Sequence, residues 1–178
     1  MNRSRNRSPL VGLALALGLA ACSDEPTAPE PVSVEETVFA PELGIDLSQM
    51  TELETGVYIQ DIIPGDSTEA FAGDSVTVHY KLWLHDGTLI HDTHAGVEDE
   101  PAVVWLVTGP HGVIDGWVDG VPGMRIGGTR KLVIPWERGY GSFPVHDEFG
   151  NVIIPAYSNL VFEVELMDTR TPESEPET

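Results

Sequence analysis

Ile114, Trp117, Val118 and Val121 stand at positions i, i+3, i+4 and i+7, the spacing of one apolar helical face. Pro122-Gly123 ends the run after about two turns. A helix this short does not hold itself together in water and needs a partner surface. Everything around it reads as strand. Ser75 to Leu84 alternates with period two, with Val76, Val78, Tyr80, Leu82 and Leu84 on one face. Val57 to Ile63, Val103 to Val107, Thr129 to Ile134 and Asn159 to Met167 are further strand-like runs. In the last of these Leu160, Phe162, Val164 and Leu166 alternate with Glu163 and Glu165, so one face is buried and the other wet. Turn signals separate the runs, as at Pro64-Gly65-Asp66 and His85-Asp86-Gly87-Thr88. The expected class is α+β: an antiparallel sheet of about five strands wrapped around one short helix, over residues 55–168.

The flanks differ from this core. Arg3, Arg5 and Arg7 precede an apolar run from Leu10 to Ala20, and no acidic residue occurs before Asp24. At about 1.5 Å per residue the run falls short of a hydrocarbon core of about 30 Å. It has the length of a signal-peptide apolar region. It ends in Leu19-Ala20-Ala21-Cys22, which resembles the bacterial lipobox. That resemblance implies a signal peptide over residues 1–21, cleavage before Cys22, lipidation of that cysteine and a place in the bacterial cell envelope, with inner or outer membrane left open. Residues 22–54 begin acidic and proline-rich, and are expected to form an extended tether. Residues 169–178 are expected to be a disordered acidic tail.

Cys22 is the single cysteine, so no internal disulfide forms. The formal net charge is −20, which repels phosphate backbones and argues against nucleic acid as a partner. His91 and His94 have H-x-x-H spacing, but on an extended segment they point to opposite faces, and zinc needs three or four convergent ligands.

Several stretches resemble the FKBP family of peptidyl-prolyl cis/trans isomerases. Val113-Ile114-Asp115-Gly116-Trp117-Val118-Asp119-Gly120-Val121-Pro122-Gly123-Met124 follows its V-I-x-G-W-x-x-G-x-x-G-M signature. Val76 to Tyr80 with Asp86-Gly87-Thr88, Gly127 with Lys131 to Pro135, Tyr140-Gly141, Ile153-Ile154-Pro155 and Leu160 to Leu166 continue in register. The resemblance spans roughly Gly56 to Met167. It implies a half-open antiparallel sheet curled over a short helix, and a pocket lined by aromatic and branched apolar side chains on an indole floor. The positions it points to for catalysis are Tyr80, Ile114, Trp117, Tyr140 and Phe162. For substrate binding it points to Ile90, His91, Asp92, Val104, Val113, His146, Ile153 and Ile154. It also implies a backbone N–H at Ile114 and a hydroxyl at Tyr140 as holders of substrate carbonyls, with no general base, metal or cofactor.

The sequence departs from the family after the Asp86-Gly87 turn. Where the family has an aromatic residue followed by an aspartate, this chain reads Ile90-His91-Asp92-Thr93, so either His91 or Asp92 takes the acidic position. A second apolar wall falls at Val104 or Trp105. Residues 142–152 form a longer loop that carries His146 and overhangs the expected pocket. The expected activity is isomerisation of X-Pro bonds in exported polypeptides by a monomer held at the membrane through Cys22. A non-catalytic chaperone or adaptor that holds Pro-containing segments is the alternative.

Overall fold

The structure is a computed structural model that describes residues 29–95 and 100–172. Nine strands are assigned among them: β1 (Thr51–Glu52), β2 (Tyr58–Ile63), β3 (Ser75–Leu84), β4 (Leu89–Asp92), β5 (Ala102–Trp105), β6 (Thr129–Ile134), β7 (Val145–His146), β8 (Val152–Ile154) and β9 (Leu160–Arg170). One α-helix, α1, runs over Asp115–Gly120. The main sheet is antiparallel, in the order β1-β2-β6-β9-β3-β4, with β5 also pairing β3. It therefore has seven strands instead of about five. The additions are the short edge strand β1 and the division of labour along β3, which pairs β5 through Ser75–Val78 and β4 through Lys81–Trp83. β7 and β8 form a separate hairpin.

The alternation read from β3 and β9 sets the core. Val76, Val78, Leu82, Phe162, Val164 and Leu166 are buried on the face that meets α1. The helix can lie this close to β6 because Gly116 and Gly120 face it. A Cβ on Gly116 would overlap the Ile134 side chain, and one on Gly120 would stand 2.9 Å from Leu132 Cδ2. The helix end is also tied to the sheet. Arg130, 4% exposed, pairs through Nε and Nη2 with the Asp61 carboxylate at 2.6 and 3.1 Å. Its Nη1 donates to the carbonyls of Gly120 and Pro122 at 2.9 and 3.1 Å. These carbonyls lie past the last helical hydrogen bond, so the arginine satisfies acceptors that would otherwise be buried without donors.

The opposite face of the sheet carries a strap, and here the expected boundary of the tether moves. Val34 and Leu43 are buried and pack with Tyr58, Val133 and Val161 in a second apolar cluster, with Phe39, Ile45, Leu47 and Met50 around them. Buried Asn159 donates to Val32 O at 2.9 Å and to Thr37 Oγ1 at 2.7 Å. Ala40 N donates to His85 O, and Lys131 Nζ to Leu43 O. An extended chain through residue 54 would leave Val34, Leu43 and this sheet face in water, and burying them is favourable. The folded unit thus begins near Val32, some twenty residues before the expected boundary at 55. At the other end β9 continues to Arg170, where Thr169 and Arg170 pair with Val76 and Ser75, so the tail starts after the strand. The expected signal peptide and Cys22 lie outside the described residues.

Candidate functional site

β3, β5, β9, α1 and the segment that follows β6 each send side chains to one concave cavity. Tyr80, Leu82, Val104, Val113, Ile114, Trp117, Tyr140 and Phe162 line it, and its volume is about 110 Å³. Trp117 is the floor. It is 3% exposed and meets Tyr80 and Phe162 edge-on, with ring centroids 5.3 and 5.4 Å away. Tyr80 and Phe162 are 6.1 Å apart. Such edge contacts hold aromatic walls at fixed angles. A wider cleft of about 480 Å³ lies between the strap and residues 155–159, but its lining mixes Glu30, Glu36, His85 and Asp86 with backbone turns. Convergent rings, more than volume, mark the smaller cavity as the site.

The polar groups at the aromatic cavity are few. Burial, and then the neighbouring Tyr140, raises the Tyr80 phenol above its ordinary pKa, and burial does the same at Tyr140. Both hydroxyls therefore stay protonated at neutral pH and can donate. Tyr140 is 38% exposed, at the rim. Ile114 has extended backbone, φ −61° and ψ 150°, immediately before the helix. Its carbonyl accepts from Trp117 N, while its own N–H makes no backbone hydrogen bond among the described residues. The Trp117 Nε1–H is buried and has no acceptor among them either.

Seven of the thirteen expected pocket positions thus line one cavity: Tyr80, Val104, Val113, Ile114, Trp117, Tyr140 and Phe162. Val104, not the half-exposed Trp105, supplies the second apolar wall. Leu82 is an additional wall residue. The alternation that turns Tyr80 inward turns Leu82 inward too, so its signal was present in the sequence.

The rest fall elsewhere. On β4 the pairing with β3 shifts at Ile90: His91 lies opposite Leu82, and Leu89 opposite Trp83. Ile90 packs against the core without lining the cavity. His91 comes out on the cavity side, its ring stacked on Tyr80 with centroids 5.1 Å apart and planes at 19°. Asp92 is turned to the other face, where Oδ2 is 3.6 Å from Lys81 Nζ. The bulge therefore brings His91 out on the side of Tyr80 and turns Asp92 away from the cavity. His94 stacks on buried His79 at 4.0 Å on that same far face, so His91 and His94 stand on opposite sides of the sheet. Among the described residues no group of three or more His, Cys, Asp or Glu is placed to hold a metal ion.

β8 accounts for the remaining positions. Its alternation buries Ile154 in the core at 2% exposure and turns Ile153 outward at 37%. His146 is exposed on the β7–β8 hairpin, where it pairs with Val152. None of these three lines the cavity. The hairpin turn is closed by Asp147, which accepts from the backbone N–H groups of Phe149 and Asn151. The bond from the Asn151 side chain, and then those from the backbone N–H groups, hold the Asp147 carboxyl below its ordinary range.

The family of FKBP-type peptidyl-prolyl cis-trans isomerases matches residues 66–167, more than half of the chain. The chain belongs to this family. It is 41% identical over 112 residues to the FK506-binding protein of Neisseria meningitidis serogroup B, covering 63% of this chain and 94% of that protein. The crystal structure of FkpA from Escherichia coli matches with 32% identity and a TM-score of 0.58, over 74% of this chain and 55% of that one. A peptidyl-prolyl cis-trans isomerase from Pseudomonas syringae matches with 28% identity and a TM-score of 0.58, over 69% and 82% of the two chains. The half-open antiparallel sheet over one short helix is the FKBP fold. The protein is a peptidyl-prolyl cis/trans isomerase, and proline-containing peptides are its substrates.

Proposed function

We propose that this FKBP domain isomerises X-Pro bonds in exported polypeptides by desolvating and twisting the amide in the aromatic cavity. The convergence of Trp117, Tyr80, Tyr140 and Phe162 on one cavity carries this reading. Rotation about a peptide bond faces a barrier of about 18–20 kcal/mol, most of it lost C–N resonance. In the twisted state the carbonyl is less polar and the nitrogen pyramidal. A water-poor pocket favours that state over the planar, more polar amide. Trp117 and Phe162 receive the pyrrolidine ring. The Ile114 N–H and the Tyr140 hydroxyl each hold a substrate carbonyl, which fixes the chain on either side of the bond while it turns. No proton transfer and no cofactor enter this scheme. A thousandfold acceleration asks for about 4 kcal/mol of differential stabilisation.

The export setting rests on Arg3, Arg5, Arg7, the Leu10–Ala20 run and Leu19-Ala20-Ala21-Cys22. In this reading the protein is monomeric and lipid-anchored through Cys22 in the bacterial envelope. The strap then joins the anchor to the catalytic domain.

NMR exchange spectra of an Ala-Pro peptide with the full chain test the activity. Faster cis/trans exchange supports it, and binding with unchanged exchange replaces it with a holding chaperone. Metabolic labelling with a palmitate analogue tests the anchor: label is expected on the wild type and lost in Cys22→Ser, and equal labelling of both refutes it.

A further inference from the structure

The cavity lining is apolar or phenolic, so discrimination by charge has to come from its rim. β4 runs beside this rim, where its His91 stacks on the cavity-lining Tyr80. The His91 ring lies flat on Tyr80, which leaves the ring nitrogens at its edge and the side chain exposed to water. Tyr80 is thereby held between His91 on one side and Trp117 on another. The strand that carries His91 is well fixed. Thr93 N donates to Tyr80 O at 3.1 Å, and Tyr80 N donates to Thr93 Oγ1 at 2.9 Å. Asp92 is committed elsewhere, to Lys81 and to the backbone N–H of His94.

We propose that His91 is a specificity-determining residue that favours substrates carrying a carboxylate beside the proline, and more strongly as the imidazole gains a proton. This rests on the isomerase reading of the cavity. The titratable groups of the two strands are divided by the sheet. Tyr80 shares the cavity side with His91, and Tyr140 from the loop after β6 stands next to Tyr80. His79 and Lys81 on β3, and Asp92 and His94 beside them, occupy the other side. Both phenols remain neutral, whereas the His91 imidazole can take up a proton and carry a positive charge. A proton on that ring places a positive charge at the mouth of a site on a protein of formal net charge −20. That net charge opposes an acidic substrate at neutral pH, and a local cation offsets it where the substrate docks.

Two peptides that differ by one group test the idea: acetyl-Ala-Glu-Pro-Phe-amide and acetyl-Ala-Gln-Pro-Phe-amide. Catalysed exchange and affinity are measured for both by NMR with the full chain, at about pH 5.5 and about pH 8. The Glu/Gln preference of the wild type is expected to rise about threefold to fivefold at the lower pH, the size of a partly exposed ion pair, and to shrink in high salt. His91→Phe keeps a ring to stack on Tyr80 and is expected to hold one ratio at both pH values. His91→Asp is expected to prefer the Gln peptide. A wild-type ratio that stays flat, or the same rise in His91→Phe, overturns the proposal. If neither peptide is isomerised faster, the isomerase reading fails, and the affinity ratio still decides the role of His91.

Discussion

Gly116 faces Ile134 across the helix–sheet interface so closely that a Cβ on the glycine would overlap Cγ2 and stand 2.8 Å from Cδ1. The contact sets the height of α1 above β6, and α1 carries Trp117. Gly116→Ala is therefore expected to lift the helix or to force Ile134 off its rotamer, at a cost of about 1–3 kcal/mol. Urea denaturation reads that cost. Gly116→Ala with Ile134→Val removes one colliding methyl and is expected to recover part of it. If the single variant is as stable as the wild type, Gly116 does not set the helix height.

The Trp117 indole gives a second expectation. Its apolar body anchors the core, while its buried Nε1–H lacks an acceptor among the described residues. Trp117→Ala is expected to lose about 3–5 kcal/mol of stability, as aromatic deletions in cores do. Trp117→Phe also shrinks the ring, but it removes the unpaired donor, whose burial costs about 1–3 kcal/mol. It is expected to stay within about 2 kcal/mol of the wild type. Isomerisation is expected to fall in both variants because the cavity floor is lowered. Both variants remove that donor, so equal destabilisation of the two would show that a phenyl ring restores none of the packing that the indole supplies.

Much of this site is legible in the amino-acid sequence. The strand-like runs match β3 and β6 to the residue and β9 within one residue at its start and three at its end, because a sheet with one buried face writes its pattern into the side chains. The ordered signature from Val113 to Met124 located the helix, and Trp117 with it. What stayed open or was misplaced depended on strand register. His91 and Asp92 differ only by which one follows the bulge at Ile90, and no local preference in the sequence places a bulge. On β8 neither Ile153 nor Ile154 lines the cavity, because strand alternation buries Ile154 in the core and turns Ile153 outward. The strap was hidden by composition. Prolines and acids around residues 24–36 read as solvated chain, and Val34, Phe39, Leu43 and Leu47 follow no fixed period, because an irregular strap docks through its turns. Asn159, which holds the strap, looked like an ordinary residue at the start of a strand.

Arg130 is the next test. It satisfies the carbonyls of Gly120 and Pro122 and pairs with Asp61, so it joins α1 to β2 and β6. Lysine brings the charge but not the planar fork, and cannot reproduce all four contacts. Arg130→Lys is expected to cost about 2–4 kcal/mol in urea denaturation. Replacing the pair together, Asp61→Leu with Arg130→Met, is expected to recover only part of this, because the two carbonyls remain without a donor. Full recovery would mean that the ion pair, and not the helix end, is what the arginine serves.

The strap should respond to pH through Glu35 and Tyr58. The Tyr58 hydroxyl donates to Glu35 Oε1 at 2.7 Å, which holds the Glu35 carboxyl below its ordinary range and raises the phenol. A carboxyl whose folded pKa is depressed adds stability that is present above its unfolded value and is lost as pH falls through the folded one. A phenol whose folded pKa is raised adds stability that is present below its unfolded value and is lost only as pH rises through the folded one. The bond is thus fully available between about pH 5 and about pH 9, given ordinary values near 4.3 and 10. Tyr58→Phe removes it. At pH 7 the variant is expected to exchange its Thr37 and Ala40 amide protons faster than the wild type, since those amides are bonded to Val34 O and His85 O within the docked strap. As the pH drops below the carboxylate range, the wild type is expected to lose its advantage and the two rates to converge. Amide exchange measured at each pH on both proteins, with the ratio of rates as the readout, decides this. A ratio that stays constant into acid would mean that Val34 and Leu43 hold the strap without help from Glu35.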